Sequence, residues 1–178
     1  MLQFDNIITE RLIMLPLSME YCEDIFREFT EEVALYMVPA AFSVQDRRAA
    51  EAFIKSCELA HLNATDLELA VLDKNSREFI GSAAVLKLHR RVPEIGLWIK
   101  KSAWGRKYGL EIVRALVEWT FARKDYPYII YPVDRDNRPS RLIAEVCGAK
   151  ADNDYMQRSE SGRTLNVTEY HFVNKRLN

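Results

Sequence analysis

The stretch that decides the fold runs from Pro93 to Ala115, PEIGLWIKKSAWGRKYGLEIVRA. It begins with a short apolar run, Ile95 to Ile99, which favours a β-strand. A basic loop from Lys100 to Lys107 follows, and apolar residues then recur at helical spacing from Leu110 to Val117. This order places the free N–H groups of a helix start beside positive charge, which is how many proteins bind phosphate. The stretch therefore predicts an anion site.

Two glycines in this stretch support the prediction. Gly105 and Gly109 carry no Cβ, so the backbone there can approach a ligand closely. The common phosphate-binding motifs do not fit, because G-x-x-x-x-G-K-[ST] is absent and G-x-G-x-x-G needs more glycines than the loop holds. Taken alone, the stretch is equally compatible with an ordinary strand and helix joined by a solvated basic loop.

Length and composition indicate one soluble globular domain. The chain has 178 residues, of which 48% are hydrophobic and 29% charged, the mix expected of such a domain. A formal net charge of −1 argues against a general nucleic-acid binder. No apolar run approaches the ~20 residues of a membrane span, and the N-terminus lacks a signal-peptide pattern. We expect a single domain over residues 1–178, with no nucleic-acid or membrane partner.

The cysteines and histidines are few and scattered. Three cysteines with no C-x-x-C pair are typical of reduced thiols in a cytoplasmic protein. The three histidines lie far apart, and no two candidate ligands share helix or strand spacing. The sequence therefore predicts a cytoplasmic location and no metal.

The hydrophobic pattern divides the chain into strands and helices in a mixed order. A first strand is predicted from Thr9 to Pro16, with Ser18 capping the helix after it. A short helical stretch runs from Glu31 to Met37, and Ser43 caps the next helix. A three-strand meander follows, and then helix, strand, helix and a closing hairpin around Ser161–Gly162. The order predicts a single-sheet α+β, or mixed α/β, fold.

Four motifs resemble the GNAT superfamily, the acetyl-CoA-dependent N-acyltransferases. Thr9–Leu12 is similar to the T-E-R-L opening of its RimJ/RimL-like branch, and Glu94–Ile99 to that branch's E-I-G-Y-W strand. Trp104–Gly109 resembles the W-G-x-G-[YF]-[AG] turn, although Lys107 stands where the central glycine is usual. Residues 137–149 resemble the N-x-x-S-x-x-[LV]…G-F end. The motifs follow one another in the right order over almost the whole chain.

The resemblance implies a central, mostly antiparallel twisted sheet of about seven strands, flanked by helices and splayed between strands 4 and 5. It also implies an N-acetyltransferase that moves an acetyl group from acetyl-CoA to a primary amine by direct transfer in a ternary complex, as a monomer or homodimer. The amine is a protein N-terminus, a polyamine, an amino acid or an aminoglycoside, and Glu28, Glu31 and Glu32 together could attract it. The departure at Lys107 and the residue Ala144, where many GNAT enzymes have a tyrosine, leave an alternative open. That alternative is a catalytically weak module that binds acyl-CoA for regulation or scaffolding.

The family's cofactor contacts carry over to the strand, the turn and the last helix. In the family the pantetheine arm pairs with the strand, whose backbone N–H also polarises the thioester oxygen. Lys107 either adds a cation or narrows the turn, and a solvated surface position is the plain alternative. The implied cofactor-binding residues are Leu97, Trp98, Ile99, Gly105, Arg106, Lys107, Tyr108, Gly109, Leu110 and Asn137.

Catalytic roles carry over to two residues. Glu94 is the candidate general base, because the apolar residues beside it would raise its pKa; an exposed edge glutamate is the alternative. Ser140 matches the serine proposed in this branch to protonate the leaving thiolate, with helix capping as the alternative. Tyr36 is implied to contact the acceptor. Proximity alone, with water removing the proton, would also suffice.

Overall fold

The computed structural model describes residues 6–37, 46–159 and 162–177. The strands are β1 Ile7–Ile8, β2 Leu12–Pro16, β3 Leu67–Asp73, β4 Phe79–Leu86, β5 Glu94–Ile99, β6 Tyr128–Asp134, β7 Lys150–Arg158 and β8 Thr164–Val173. The helices are α1 Cys22–Glu28, α2 Glu31–Ala34, α3 Arg47–Leu62, α4 Tyr108–Arg123 and α5 Arg138–Val146. The strands form one eight-stranded sheet in the order β1-β2-β3-β4-β5-β6-β8-β7.

The sheet is antiparallel except between β5 and β6. These two strands are joined through α4, and they run parallel with a single pair of facing residues, Glu94 and Ile130. Beyond that pair the ladder stops, and we call the unpaired stretch between the two strands the seam. The fold prediction, a mixed α/β sheet flanked by helices, is confirmed.

The first predicted strand is shorter than expected. Thr9 to Arg11 form a turn, in which the Leu12 backbone N–H donates to Thr9 Oγ1 over 3.0 Å. Because this turn folds the chain back, Ile7 and Ile8 pair with Met14 and Ile13 as an additional strand. The sheet therefore has eight strands where about seven were predicted.

Two predicted helix boundaries differ as well. Ser18 precedes a 3₁₀ turn, Met19–Tyr21, and its side chain makes no capping hydrogen bond, so the prediction that it caps α1 is wrong. The second helix ends at Ala34 instead of Met37, and its cap is Thr30, whose side chain accepts a hydrogen bond from the backbone of Val33.

Two predictions fall on residues outside the described part of the chain. Ser43 is one, and the structure starts α3 after Asp46, whose side chain accepts from the Arg48 backbone N–H over 2.9 Å. Ser161 is the other. Its neighbour Gly162, with φ of +82°, lies between the two strands of the predicted closing hairpin, which are β7 and β8.

Helices cover both faces of the sheet. Along β3 the side chains alternate: Leu67, Leu69 and Val71 belong to the core under α4 and α5, while Ala70 and Leu72 belong to the core under α1 to α3. Each large aliphatic side chain buried in these cores stabilises the fold by about 1.5–3 kcal/mol. No helix within the described residues is both long and apolar enough to cross a membrane.

Candidate active site

The seam leaves part of the β5 backbone without a strand partner. Because the Lys100 N–H donates to the Ile80 carbonyl of β4, the alternation of a strand turns the backbone groups of Leu97 and Ile99 toward β6. The Ile99 carbonyl accepts a hydrogen bond from the Trp104 indole over 2.7 Å. The backbone of Trp98 faces β4, so of the three predicted strand contacts Leu97 presents both its N–H and its C=O to the seam.

The basic turn leads directly from β5 into α4. Its last residue, Lys107, is the N-cap and adopts the left-handed conformation, with φ of 62° and ψ of 17°. A residue with a Cβ in this conformation costs roughly 1–2 kcal/mol, which explains why the family usually has glycine there. The first N–H groups of α4, from Tyr108 to Leu110, have no partner within the helix and point out of its N-terminus.

The two glycines of the turn have different functions. Gly105 has φ of +76° and open space around its missing Cβ, so its backbone conformation requires glycine. Gly109 has a packing function, because a Cβ there would lie 2.8 Å from the Ile143 Cδ1 of α5. The sequence predicted close approach to a ligand at both positions; at Gly109 the close approach is between α4 and α5.

The basic turn is held from behind by the Thr9–Leu12 motif. Glu111 of α4 accepts hydrogen bonds from Thr9 Oγ1 over 2.5 Å, from the Arg11 backbone over 2.9 Å and from the Arg11 guanidinium over 2.7 Å. The same guanidinium donates to the Arg106 carbonyl over 3.0 Å and lies 4.6 Å from the centre of the Tyr108 ring. We call these five residues the anchor. It ties two motifs that lie about 100 residues apart in the chain.

Burial and hydrogen bonding act in opposite directions on Glu111. Burial works to raise the pKa of this carboxyl, and the bonds from Thr9 and Arg11 outweigh it, so that the pKa lies below its ordinary value. Glu111 is therefore ionised at neutral pH and neutralises the Arg11 guanidinium behind the turn.

A cavity of about 210 Å³ lies on the α1–α3 face of the sheet and reaches the seam. We call it the acceptor pocket. Aromatic rings form much of its wall, and six of the predicted site residues line it: Tyr36, Glu94, Leu97, Trp98, Asn137 and Ser140. Its wall also includes the aromatic residues Phe29, Phe53 and Tyr131.

Strand register explains why the pocket is open toward the seam. Glu68 of β3 faces Ala84 of β4, which faces Gly96 of β5, so these three residues form one row across the sheet. Two of the three have little or no side chain, and a Cβ built on Gly96 meets nothing within 4 Å. The row therefore leaves an open path from Glu68 to the seam, because no large side chain of the row lies between them. Glu94 lies on the same face, two residues from Gly96.

Glu94, the predicted general base, is engaged in an ion pair. Its carboxylate lies 2.6 Å from Lys87 Nζ, and its side chain is 16% exposed while that of Lys87 is 55% exposed. An amine that binds to Glu94 must therefore share this carboxylate with Lys87 or displace it.

Glu68 is the pocket carboxyl that sequence reasoning missed. Burial raises its pKa to about 7, the nearby Asp66 adds to the rise, and a hydrogen bond with Ser82 opposes it. A signal was present in the sequence, since a lone carboxylate in the run LELAVL of a strand buried on both faces is unusual. That signal does not by itself indicate a site, because only the strand register shows that this side chain reaches the pocket.

Asn137 and Ser140 lie together at the start of α5. Asn137 is the N-cap, and its side chain accepts a hydrogen bond from the Ser140 backbone N–H over 3.2 Å. The Ser140 side chain is hydrogen-bonded to Tyr131, a second residue that sequence reasoning missed. Burial raises the pKa of Tyr131 to about 12, so its hydroxyl stays protonated at neutral pH. The helix-capping role considered for Ser140 thus belongs to Asn137.

Arg163 approaches Tyr36 at the edge of the pocket. The guanidinium lies 5.4 Å from the centre of the Tyr36 ring and donates to the neighbouring Leu35 carbonyl over 3.4 Å. Of the three glutamates expected to attract an amine, Glu28 pairs with Arg27 and Glu32 with Lys101.

No cluster for a metal ion exists within the described residues, where no three His, Cys, Asp or Glu side chains come together in a suitable arrangement. The protein groups that meet at the seam are instead those that an acyl thioester and its phosphates need. They are backbone hydrogen-bond groups along β5, free N–H groups at the start of α4, and cations in the turn. The residues present therefore fit acetyl-CoA.

Comparison with solved structures identifies the fold. A ribosomal-protein-S5-alanine acetyltransferase from Vibrio fischeri is 13% identical with a TM-score of 0.82, and the match covers 98% of this chain and 100% of that one. A spermidine N-acetyltransferase from Vibrio cholerae, in complex with CoA and spermine, is 15% identical with a TM-score of 0.79 and coverage of 96% and 100%. RimL, a ribosomal L7/L12 alpha-N-protein acetyltransferase in complex with coenzyme A, is 16% identical with a TM-score of 0.77 and coverage of 95% and 98%. A search of curated proteins finds no match.

The fold and the site are those of an acyltransferase that brings two substrates together at a split sheet. The sequence matches the acetyltransferase (GNAT) domain over residues 11–150, and the chain belongs to that family. The predicted family, enzyme class and acetyl-CoA donor are thereby confirmed. The structural neighbours include ribosomal-protein acetyltransferases, which belong to the branch that the sequence motifs resemble.

Proposed function

We propose that this acetyltransferase transfers the acetyl group to a primary amine that enters through the acceptor pocket, while both substrates are bound. The observation that carries the proposal is the row from Glu68 to Gly96, which opens the pocket onto the unpaired edge of β5. A thioester held along that edge and an amine held in the pocket would meet beside Gly96. Such positioning alone lowers the barrier substantially, because it makes the reaction effectively unimolecular.

The predicted cofactor-binding residues enter the proposal with distinct functions. The backbone of Leu97 and Ile99 binds the pantetheine arm, and the N–H of Leu97 stabilises the charge that develops on the thioester oxygen. The helix start at Tyr108, Gly109 and Leu110 receives the pyrophosphate, with Gly105 shaping the turn and Arg106 and Lys107 adding charge. Trp98 contributes its indole to the pocket, and Asn137 holds the start of α5 in place.

Proton transfer to the leaving thiolate is assigned to Ser140. Its hydroxyl is a poor acid, but Tyr131 is bonded to it and carries a proton at neutral pH. Ser140 gives its proton to the thiolate and takes up the one that the acylated nitrogen loses, while the Tyr131 hydroxyl keeps its own proton and holds the serine through their hydrogen bond. Removal of the amine's proton is assigned to the carboxylates of the pocket, of which the sequence predicted Glu94. Tyr36 and Arg163 hold the acceptor at the pocket edge.

The amine itself belongs to one of two classes that the structural neighbours suggest. The Vibrio fischeri and RimL proteins are named for ribosomal-protein acceptors and the Vibrio cholerae enzyme for spermidine. We propose a primary amine of either kind for this chain, acting as a single domain in the cytoplasm, as a monomer or homodimer, without nucleic acid.

The test measures release of free thiol from acetyl-CoA with spermidine, with a short peptide that begins with alanine, and with free amino acids and an aminoglycoside. Turnover with at least one amine is expected. The sharpest variant is Gly96→Val, since the added side chain finds open space in the fold and fills the passage between pocket and seam. It should retain thermal stabilisation by acetyl-CoA and lose turnover, whereas Gly96→Ala should lose less. Equal turnover in Gly96→Val and the wild type would contradict this site.

A second candidate function is an acyl-CoA-binding module without turnover. The strained Lys107 and the absence of a tyrosine at Ala144, which is fully buried in the core, favour it. Stabilisation by acetyl-CoA together with failure to acetylate any amine in the panel would support this alternative over transfer.

A further inference from the structure

Glu68 occupies the inner end of the row that leads to the seam. Its neighbours on that face are mostly apolar or aromatic, and they leave the residue only partly exposed to water. Among the described residues no lysine or arginine forms an ion pair with it. A carboxyl group in such surroundings is stable only if it takes up a proton or receives a cation.

The hydrogen bonds around Ser82 also indicate that Glu68 can carry a proton. Ser82 is fully buried, and its Oγ lies 2.6 Å from Glu68 Oε1 and 2.9 Å from the Leu69 carbonyl. A hydroxyl has one hydrogen, so it cannot donate to both oxygens at once. Both contacts become hydrogen bonds if a protonated Glu68 donates to Ser82 and Ser82 donates to Leu69. The site therefore accommodates the neutral carboxyl as well as the carboxylate.

We propose that Glu68 is the group that takes the proton from the acceptor amine, and that the amine enters the pocket as an ammonium ion attracted to this carboxylate. The inference rests on the proposed acetyl transfer. It assigns to Glu68 the role of proton acceptor that the sequence assigned to Glu94. Glu94, held by Lys87, then attracts the amine at the seam end of the pocket, and Glu68 receives its proton at the inner end.

The protons and electrons balance in this scheme. One N–H bond of the ammonium breaks and its proton passes through water in the open row to a Glu68 oxygen, which leaves a neutral amine with a free electron pair. That pair forms the bond from nitrogen to the acetyl carbon, the carbon–sulfur bond breaks, and the sulfur takes the electron pair. The second proton leaves the nitrogen and passes through the Ser140 hydroxyl to the sulfur. Glu68 finally returns its proton to water.

Among the titratable groups at the inner end of the pocket, Glu68 is the one suited to this proton transfer. From α3, Cys57 faces it, and burial raises the pKa of that thiol to about 12. Asp66, the residue before its strand, adds negative charge, and the Glu94–Lys87 ion pair lies on the same face. Tyr131 and Tyr36 complete the pocket wall, and burial raises the pKa of Tyr131 to about 12. Since burial raises the pKa of Glu68 to about 7, it can gain and lose a proton near neutral pH.

The experiment compares Glu68→Gln, Glu94→Gln and the surface control Glu118→Gln in the full chain. The rate constant kcat/KM is measured from pH 5.5 to 10 with spermidine and with a peptide that begins with alanine. In the wild type we expect the rate to rise with pH through about 7, as Glu68 loses its proton. Glu68→Gln should lose roughly 100-fold at pH 7.5 and regain activity only as the amine itself deprotonates at higher pH. Glu94→Gln and Glu118→Gln should keep the rise near pH 7.

An independent measurement follows the carboxyl directly. In protein labelled with ¹³C at the glutamate side chains, one NMR signal should titrate near pH 7 and be absent in Glu68→Gln. Loss of the rise near pH 7 in Glu94→Gln but not in Glu68→Gln would overturn the inference and favour the base predicted from sequence. An unchanged pH profile in both, in an active enzyme, would overturn it in favour of water. A wild type that acetylates neither amine while the NMR signal titrates would instead remove the proposed function on which the inference rests.

Discussion

Glu68 and Glu111 are both partly buried carboxyl groups. Glu68 lies in the wall of the acceptor pocket, and Glu111 lies in the anchor behind the basic turn. Burial works in the same direction on both and raises the pKa of each. Glu111 receives three hydrogen bonds and the charge of Arg11, and its pKa ends below the ordinary value. For Glu68, the hydrogen bond with Ser82 is the one interaction that lowers the pKa, and the pKa is about 7.

The difference separates a structural carboxylate from one that can do chemistry. A carboxylate whose lone pairs are filled by fixed donors is held in one charge state and stabilises what surrounds it. A carboxyl with few donors keeps the capacity to change charge, at a cost to stability. The two halves of the molecule use the same residue type for opposite purposes.

The largest effect is expected from breaking the anchor with Glu111→Gln. The change removes the charge opposite Arg11, whose side chain is 41% exposed, so the free energy of unfolding should fall by about 2–3 kcal/mol at pH 7. Because the pKa of Glu111 is lowered, its contribution is present above the ordinary pKa and is lost as pH falls through the folded value. The difference in the free energy of unfolding between Glu111→Gln and the wild type should therefore become smaller at acidic pH. Urea unfolding at pH 7 and pH 3 measures it, with the exposed Glu118→Gln on the same helix as control.

The pocket carboxyl should behave in the opposite way. The pKa of Glu68 is about 7 in the folded protein and 4.5 ordinarily, so the folded state binds more protons between these values and stability falls as pH rises through them. Glu68→Gln removes the cost of the buried charge, and at pH 8 it should be more stable than the wild type by about 2 kcal/mol. At pH 4.5 the two should be nearly equal. Equal stability at both pH values would show that Glu68 carries no such cost.

Ser82→Ala sharpens the comparison by taking away the donor of Glu68. Since the hydrogen bond to Ser82 lowers the pKa of Glu68, its loss should move that pKa higher, and the rise of kcat/KM should shift to higher pH. The free energy of unfolding should fall by about 1 kcal/mol. A shift of the profile toward lower pH would show that Ser82 stabilises the neutral carboxyl of Glu68 more than the carboxylate.

The smallest effect on stability is expected at Lys107, beside the anchor. In Lys107→Gly the relief of the left-handed conformation is offset by the greater freedom of glycine in the unfolded chain, so the net change should be below about 1 kcal/mol. Binding of CoA should weaken about fivefold if the ammonium contacts a phosphate. Lys107→Gln isolates the charge, because it keeps the side chain and the strain. Unchanged CoA affinity in both variants would show that Lys107 is a solvated surface residue.

The sequence predicted the sheet, the turn and α4 because their signals are local. Apolar alternation and the change to helical spacing after Lys107 are visible within a few residues of each other. The family match was also readable from short motifs. The additional strand came from the turn at Thr9, where a side-chain hydrogen bond with Leu12 delays the start of the strand that alternation alone would begin at Thr9.

The candidate site was predictable only in part because its geometry is not local. The first motif was recognised as a family feature, but the reason for Thr9 and Arg11 is a contact with Glu111 far along the chain. Glu68 is distant in sequence from Glu94 and from the pair of Tyr131 and Ser140, and strand register brings all four to one cavity. The pairing of Glu94 with Lys87 likewise depends on where the turn before β5 places the lysine.

The seam gives β5 an uneven resistance to hydrogen exchange. The N–H groups of Gly96, Trp98 and Lys100 point toward β4, while those of Leu97 and Ile99 point toward the seam. Protected and exchangeable amides therefore alternate along a single strand in the middle of the sheet, although slow exchange is normally a property of whole core strands. In deuterated solvent the strand would be labelled at every second residue. The enzyme thus carries at its centre a strand that is hydrogen-bonded on one side only, and we propose that its donor completes the other side.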